Sequence, residues 1–260
     1  MTSAFMRLLL ASAVAAPLIV LPASPAAAGR PLTTEDTGTL DPGTIEVELG
    51  LDYIREPHAN VFLLPGGPIF NVGLLPRLEG TVAAGLVLLE PDDERARAGV
   101  SDTLVRLKYR LIDETPRSPA LMAAVTARLP TGDHGRGLGE TGADVQGLAV
   151  ASKTLRATIL TLNAGYTFVT RDRHLDVVNL HASAEIPVHR AIPVHRAWWV
   201  VGEIVADVAT HRGVDDRVIV RTGSVYAATD RIRLDGAVGF GATRASPDVL
   251  LTIGVTIRLD

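Results

Sequence analysis

His181, Ser183 and Glu185 stand at positions i, i+2 and i+4 of one alternating stretch, with Asn179 just before them. A histidine that deprotonates a serine, itself oriented by an acid, is the arrangement of an outer-membrane lipid hydrolase. On a strand, residues two apart stand about 6.6–7 Å from each other at Cα, which is loose for a direct hydrogen bond. The plainer expectation is a polar strand face. Gly137, Gly139 and Gly142 match a dinucleotide fingerprint by letter, but that fingerprint needs a following helix and an acid about 20 residues on. Here an alternating stretch follows and 160–167 holds no acid, so a glycine-rich loop is expected. The other histidines (His58, His134, His174, His189, His195, His211) fall singly in loops and turns without a His-Glu-x-x-His spacing, so no metal is expected. The absence of cysteine excludes disulfides, thiol catalysis and cysteine–metal sites. No cofactor is implied.

Two sets of charges carry more. Arg106, Lys108, Arg110, Arg128, Arg221 and Arg258, with Glu46, Glu48, Asp52, Glu79, Glu203 and Asp207, sit on the non-apolar parity of their stretches. If that parity faces a lumen, such charges set what passes. Equally, they could pair into a ladder that fills the space, and spacing leaves both readings open.

The elements that must position them are strands. In 101–112, Val105, Leu107, Tyr109 and Leu111 share one parity, while Asp102, Arg106, Lys108 and Arg110 share the other. Period two puts each set on its own sheet face. The same rhythm recurs at 44–55, 69–74, 77–89, 120–129, 142–155, 157–169, 175–186, 198–209, 217–228, 231–242 and 249–259, about twelve strands in all. Residues 56–68, rich in Pro, Gly and Asn, and the charged 90–99 are expected as loops. Pro187-Val-His-Arg-Ala191 recurs at once as Pro193-Val-His-Arg-Ala197, which reads as a turn lengthened by duplication.

Arg7, the apolar run 8–21 and Ala26-Ala27-Ala28 form an export signal, so 1–28 is expected to be cleaved and the mature chain to begin near Gly29. The formal charge of −4 becomes −5 on losing Arg7, the one ionised side chain of 1–28, which leaves no electrostatic footprint for nucleic acid. Residues 29–43 are an aperiodic lead-in, and 44–260 the alternating body. Hydrophobic content is 47%, yet no later segment is long enough for a spanning helix. Closed barrels are the other structure that crosses lipid with every backbone group paired. Tyr53, Tyr166, Phe168, Phe240, Tyr109, Tyr226 and Trp198 all lie on the apolar parity near a strand end, where interfacial girdles belong. The expected fold is therefore all-β: a transmembrane antiparallel up-and-down barrel of about twelve strands, with apolar residues facing lipid.

Arg30-Pro-Leu-Thr-Thr-Glu-Asp36, Asn71-Val-Gly-Leu-Leu-Pro-Arg-Leu-Glu79 and Arg128-Leu-Pro-Thr-Gly-Asp133 with its glycine-rich continuation resemble the outer-membrane transporter proteins grouped under the meta-pathway of phenol degradation. That resemblance implies an outer-membrane barrel passing small, often aromatic or apolar compounds, with no established catalytic residues. It also implies an encounter with the barrel insertion machinery, which usually reads a terminal aromatic; this chain ends Ile257-Arg-Leu259-Asp260. The expected function is a passive channel without covalent chemistry, its partners outer-membrane lipid and a small solute. The alternatives are a lipid hydrolase using His181 and Ser183, and a soluble periplasmic β-barrel or sandwich. Neither the solute nor the oligomeric state is written in the sequence.

Overall fold

The computed structural model describes residues 29–64, 68–188 and 198–259. The expected export signal, most of the duplicated Pro-Val-His-Arg-Ala turn (with His189 and His195) and Asp260 lie outside the described residues.

The alternating stretches become strands. Among the described residues these are β1 (Ile45–Glu56), β2 (Ala59–Leu64), β3 (Ile69–Leu75), β4 (Leu78–Ala83), β5 (Leu86–Pro91), β6 (Arg97–Val100), β7 (Thr103–Ile112), β8 (Ala120–Leu129), β9 (Asp144–Leu155), β10 (Thr158–Val169), β11 (Val177–Pro187), β12 (Trp198–Ala209), β13 (Arg217–Ala227), β14 (Ile232–Gly241) and β15 (Val249–Leu259). They form one antiparallel sheet, closed where β1 pairs with β15 from Ile45 opposite Leu259 to Arg55 opposite Val249. Closure leaves only the short β6, among the described strands, with a single strand partner, as lipid demands of the rest.

These segments make twelve staves. β3 and β2 pair with the two halves of β1, β4 and β5 pair with them in turn, and β7 and β6 come next. Each couple makes up one stave in two segments, with 84–85 between β4 and β5 and 101–102 between β6 and β7. Two expectations need correcting here. Residues 56–68 hold β2, where Phe62 packs against Tyr53 (centroids 5.1 Å apart) and the Tyr53 hydroxyl donates to Asn60 Oδ1 (2.9 Å). Cross-strand partners supply what local propensity lacks. Residues 90–99 likewise supply the end of β5 and the start of β6, held by the pairing of Leu86 to Leu89 with Val100 to Arg97.

Burial is inverted relative to a soluble protein. Leu162 and Ile253 are about 60% exposed, whereas Lys108, Glu79, Glu185 and Glu203 are buried. Thirty large apolar side chains are exposed among the described residues. In water, at roughly 1–2 kcal/mol each, they would forgo tens of kcal/mol, more than the roughly 5–15 kcal/mol by which a domain is stable. In lipid they cost nothing. The aromatic girdle positions follow: Trp198 lies opposite Tyr226 at the end that carries both termini, Tyr109 lies near that same end, and Tyr166 with Phe168 and Phe240 lie toward the far end. A soluble barrel or sandwich is ruled out by this arrangement, because its leucines would have to lie inside.

Candidate functional site

The polar parity of every stave points into the lumen, and the lumen is occupied. Residues 29–44, without the alternation to join the sheet, run around its inner wall and meet one stave after another. Thr34, Glu35, Asp36 and Thr37 are as buried as a protein core.

Arg30 comes first. Gly50 and Gly254 face each other across the β1–β15 register, and a Cβ on either would overlap the Arg30 guanidinium. The paired glycines form a slot in the wall, a close approach that only the smallest residue permits. In it Arg30 donates to Asp52 Oδ1 (3.2 Å), Thr252 and the Ile253 carbonyl (2.8 Å), and its Nε lies 3.6 Å from Asp235 Oδ1. The Thr33 and Thr34 N–H groups and the Thr34 hydroxyl then donate to the Glu203 carboxylate at 2.7–3.0 Å. Arg221 holds that carboxylate from the wall (3.1 Å) while donating to the Pro31 carbonyl (2.8 Å).

Glu35 is clamped at its backbone. Its N–H donates to Asn163 Oδ1 and its carbonyl accepts from Asn163 Nδ2, both at 2.8 Å. Its carboxylate meets Lys108 Nζ (3.0 Å) and Arg106. Burial alone would push the Glu35 carboxyl up; the Lys108 and Arg106 cations overcome it and hold the group below the usual carboxylate range. Lys108 reaches Asp36 (3.3 Å) and Glu79 (3.4 Å) as well, and Glu79 accepts the Leu40 N–H (2.8 Å). Gly43 and Thr44 finally pair with Gly73, leading the chain into β1.

The charges singled out in the sequence thus fall into three groups. Arg106, Lys108, Arg221, Glu48, Asp52, Glu79 and Glu203 contact the lead-in. Arg258 stands 3.9 Å from Asp41 of the same segment. Glu46 pairs with Arg233 (2.7 Å), Arg110 lies 3.3 Å from Asp113 at the terminal rim, and Arg128 pairs with Asp144 toward the far end. Asp207 accepts from Asn179 (2.6 Å) and lies 3.4 Å from His181 Nε2. The wall neither stands open nor zips to itself: much of its charge is met by the lead-in. Arg30, Glu35 and Asp36 were not among the residues that alternation marks, since they lie outside any strand. Their one sequence signal was the motif Arg30–Asp36, a polar stretch in a loop, where function concentrates.

The serine–histidine constellation does not assemble. His181 turns to Asp207, Ser183 Oγ and His181 Nδ1 have no hydrogen-bond partner among the described residues, and both residues are buried on the lumen face. The glycine fingerprint forms a loop: Asp133 caps the short turn His134–Arg136, Gly137 takes a left-handed conformation (φ 72°), and β9 follows. Asp102 anchors that loop by accepting the Gly132 and Glu140 N–H groups, both at 2.9 Å.

A cavity of about 690 Å³ remains beside the lead-in, with Arg30, Asp52, Arg106 and Arg233 on its polar side and Ile54, Leu104 and Leu250 on its apolar side. Ile54 and Leu250 belong to a cluster with Val205 and Ile219, all on the polar parity of their strands. Val61 and Leu63, opposite Ile54 and Asp52, and then Leu89 and Val87 opposite those, continue this lumen face. From β12 round through β1 to β5 the lumen wall is therefore graded, from charge at the terminal end to an apolar patch toward the far end, where Arg128, Asp144, Asn179 and Asp207 keep the rest of the wall polar.

An inside-out, closed twelve-stave barrel is a bacterial outer-membrane β-barrel. The chain belongs to the family described as "Putative MetA-pathway of phenol degradation", whose model matches residues 28–259. The fold is similar to that of the COG4313 outer membrane channel from Pseudomonas putida F1 (TM-score 0.64, 16% identity, 88% of this chain and 100% of that chain). It is also similar to the NanC porin (TM-score 0.56, 9% identity, 82% of this chain and 100% of that chain). Among curated proteins none matches the chain in sequence.

Proposed function

We propose that this protein is a passive outer-membrane channel for small, largely apolar molecules, with residues 29–44 acting as an internal plug. The observation that carries this reading is a cavity with an apolar wall patch on one side and belt charges on the other, many of them met by the lead-in. A solute with an apolar body would exchange lipid or water for the patch, and its polar end would face the arginines and carboxylates of the belt. The family's description points to phenol breakdown, which fits small aromatic solutes. The wall charges then serve two roles, seating the plug when the path is shut and selecting by charge when it is open. No covalent step is needed. The lipid-hydrolase alternative is disfavoured by geometry, because Ser183 and His181 share no hydrogen bond and face away from lipid.

Planar-bilayer conductance and vesicle uptake of the refolded protein test the channel. Deleting residues 30–40 is expected to raise conductance several-fold and to admit small aromatics faster. Equal conductance with and without the segment would remove the plug, and absence of uptake by either form would remove the channel. Neutralising Arg106, Lys108 and Arg110 in the plug-deleted form should shift ion preference toward cations.

A further inference from the structure

Of the four wall carboxylates that meet the lead-in, Glu48 is the one without an ion pair among the described residues. It is buried, it accepts from Asn71 Nδ2 (2.7 Å), and it takes a long contact from the Arg30 N–H (3.4 Å). No lysine or arginine among the described residues forms an ion pair with it. Its neighbour on the same face, Glu46, uses Arg233, and Asp52 uses Arg30. A buried carboxylate left unpaired is costly, and a second carboxylate nearby adds to the cost.

What stands next to Glu48 is Gly29. A Cβ built on Gly29 would lie 2.8 Å from Glu48 Oε1, so the Gly29 Cα sits against the carboxylate. The nitrogen of Gly29 is bonded to the same Cα, so rotation there brings it within ion-pair reach of the carboxylate. As part of a peptide bond that nitrogen carries no charge and at most one N–H. The sequence places the end of the export signal at Ala28.

We propose that removal of the export signal creates the counter-ion of Glu48. Signal peptidase splits the Ala28–Gly29 amide with one water: the C–N bond breaks, Ala28 leaves as a carboxylate, and Gly29 gains a free α-ammonium. That ammonium docks on Glu48 and locks the first residue of the plug to β1, one step before Arg30 enters its glycine slot. The ammonium thus gives the plug a tie to β1 that the unprocessed chain lacks. This accounts for Glu48 lying buried with two neutral donors and no ion pair among the described residues.

The test uses the protein purified from outer membranes, its folding verified by heat-modifiable gel migration. Mass spectrometry of the intact N-terminus is expected to give Gly29. With an amine-reactive reagent at mildly alkaline pH, the folded protein should label at its α-amine at least about tenfold more slowly than the same chain in denaturant, since reaction requires local opening. Glu48→Gln should restore labelling to nearly the unfolded rate, while Glu46→Gln leaves it slow. An alanine inserted between Ala28 and Gly29 moves the ammonium one residue away and should also restore labelling, which keeps the test open if Glu48→Gln fails to fold. An N-terminus other than Gly29, a wild-type α-amine that labels equally fast folded and unfolded, or a Glu48→Gln barrel as protected as wild type would each overturn the proposal. None of these readouts involves a solute, so they stand or fall apart from the channel reading.

Discussion

Lys108 holds three carboxylates at once, those of Glu35, Asp36 and Glu79, from a buried position on β7. Removing one member of such a group leaves uncompensated charge, typically worth about 3–5 kcal/mol. Part of that cost is relieved if the lead-in departs and lets water reach the acids. Lys108→Met is therefore expected to free the plug without unfolding the barrel, read as raised bilayer conductance with unchanged heat-modifiability. Glu35 adds a pH dependence. Its carboxyl is held below the ordinary value when docked, so its contribution to docking is fully present above about pH 4.5 and lost as pH falls through the lowered value. Conductance should rise on acidification in that window, and Glu35→Gln should show the raised conductance already at neutral pH. The groups facing Glu35 are Lys108 and Arg106 of β7, with Glu79 of β4 and Asp36 sharing the lysine.

At the scale of elements, the lead-in and the β1–β15 seam depend on each other. The slot for Arg30 exists because Gly50 and Gly254 are in register. Gly50→Ala is expected to eject the guanidinium and mimic plug deletion in conductance, while β1 still pairs with β15 because the three atoms nearest a Cβ there all belong to the Arg30 guanidinium. The alternation of these strands was plain in the sequence, as was the parity of Glu48, Asp52 and Arg258. The slot was not, because nothing local fixes which residue of β15 faces which residue of β1. The interrupted staves show the same limit. β2 and β6 are short and weakly patterned, and their pairing with Tyr53 and with Leu86 to Leu89 is what makes them strands.

For the whole molecule, the governing contrast is a lipid-facing exterior against an ionic interior. A charge placed on the exterior midway along a stave should cost about 2–4 kcal/mol, and Leu162→Arg is the position to measure by reversible unfolding in vesicles. The sequence by itself determined the strands other than β2 and β6, their two faces and the inventory of charge, because period-two alternation is a local property of the chain. Only the tertiary structure decided where those charges find partners. A lumen is enclosed by residues distant in sequence, and residues 29–44, which carry no strand pattern, reveal their role only once twelve staves close around them. The buried carboxylates need cations and N–H donors from somewhere, and the segment threaded inside supplies them.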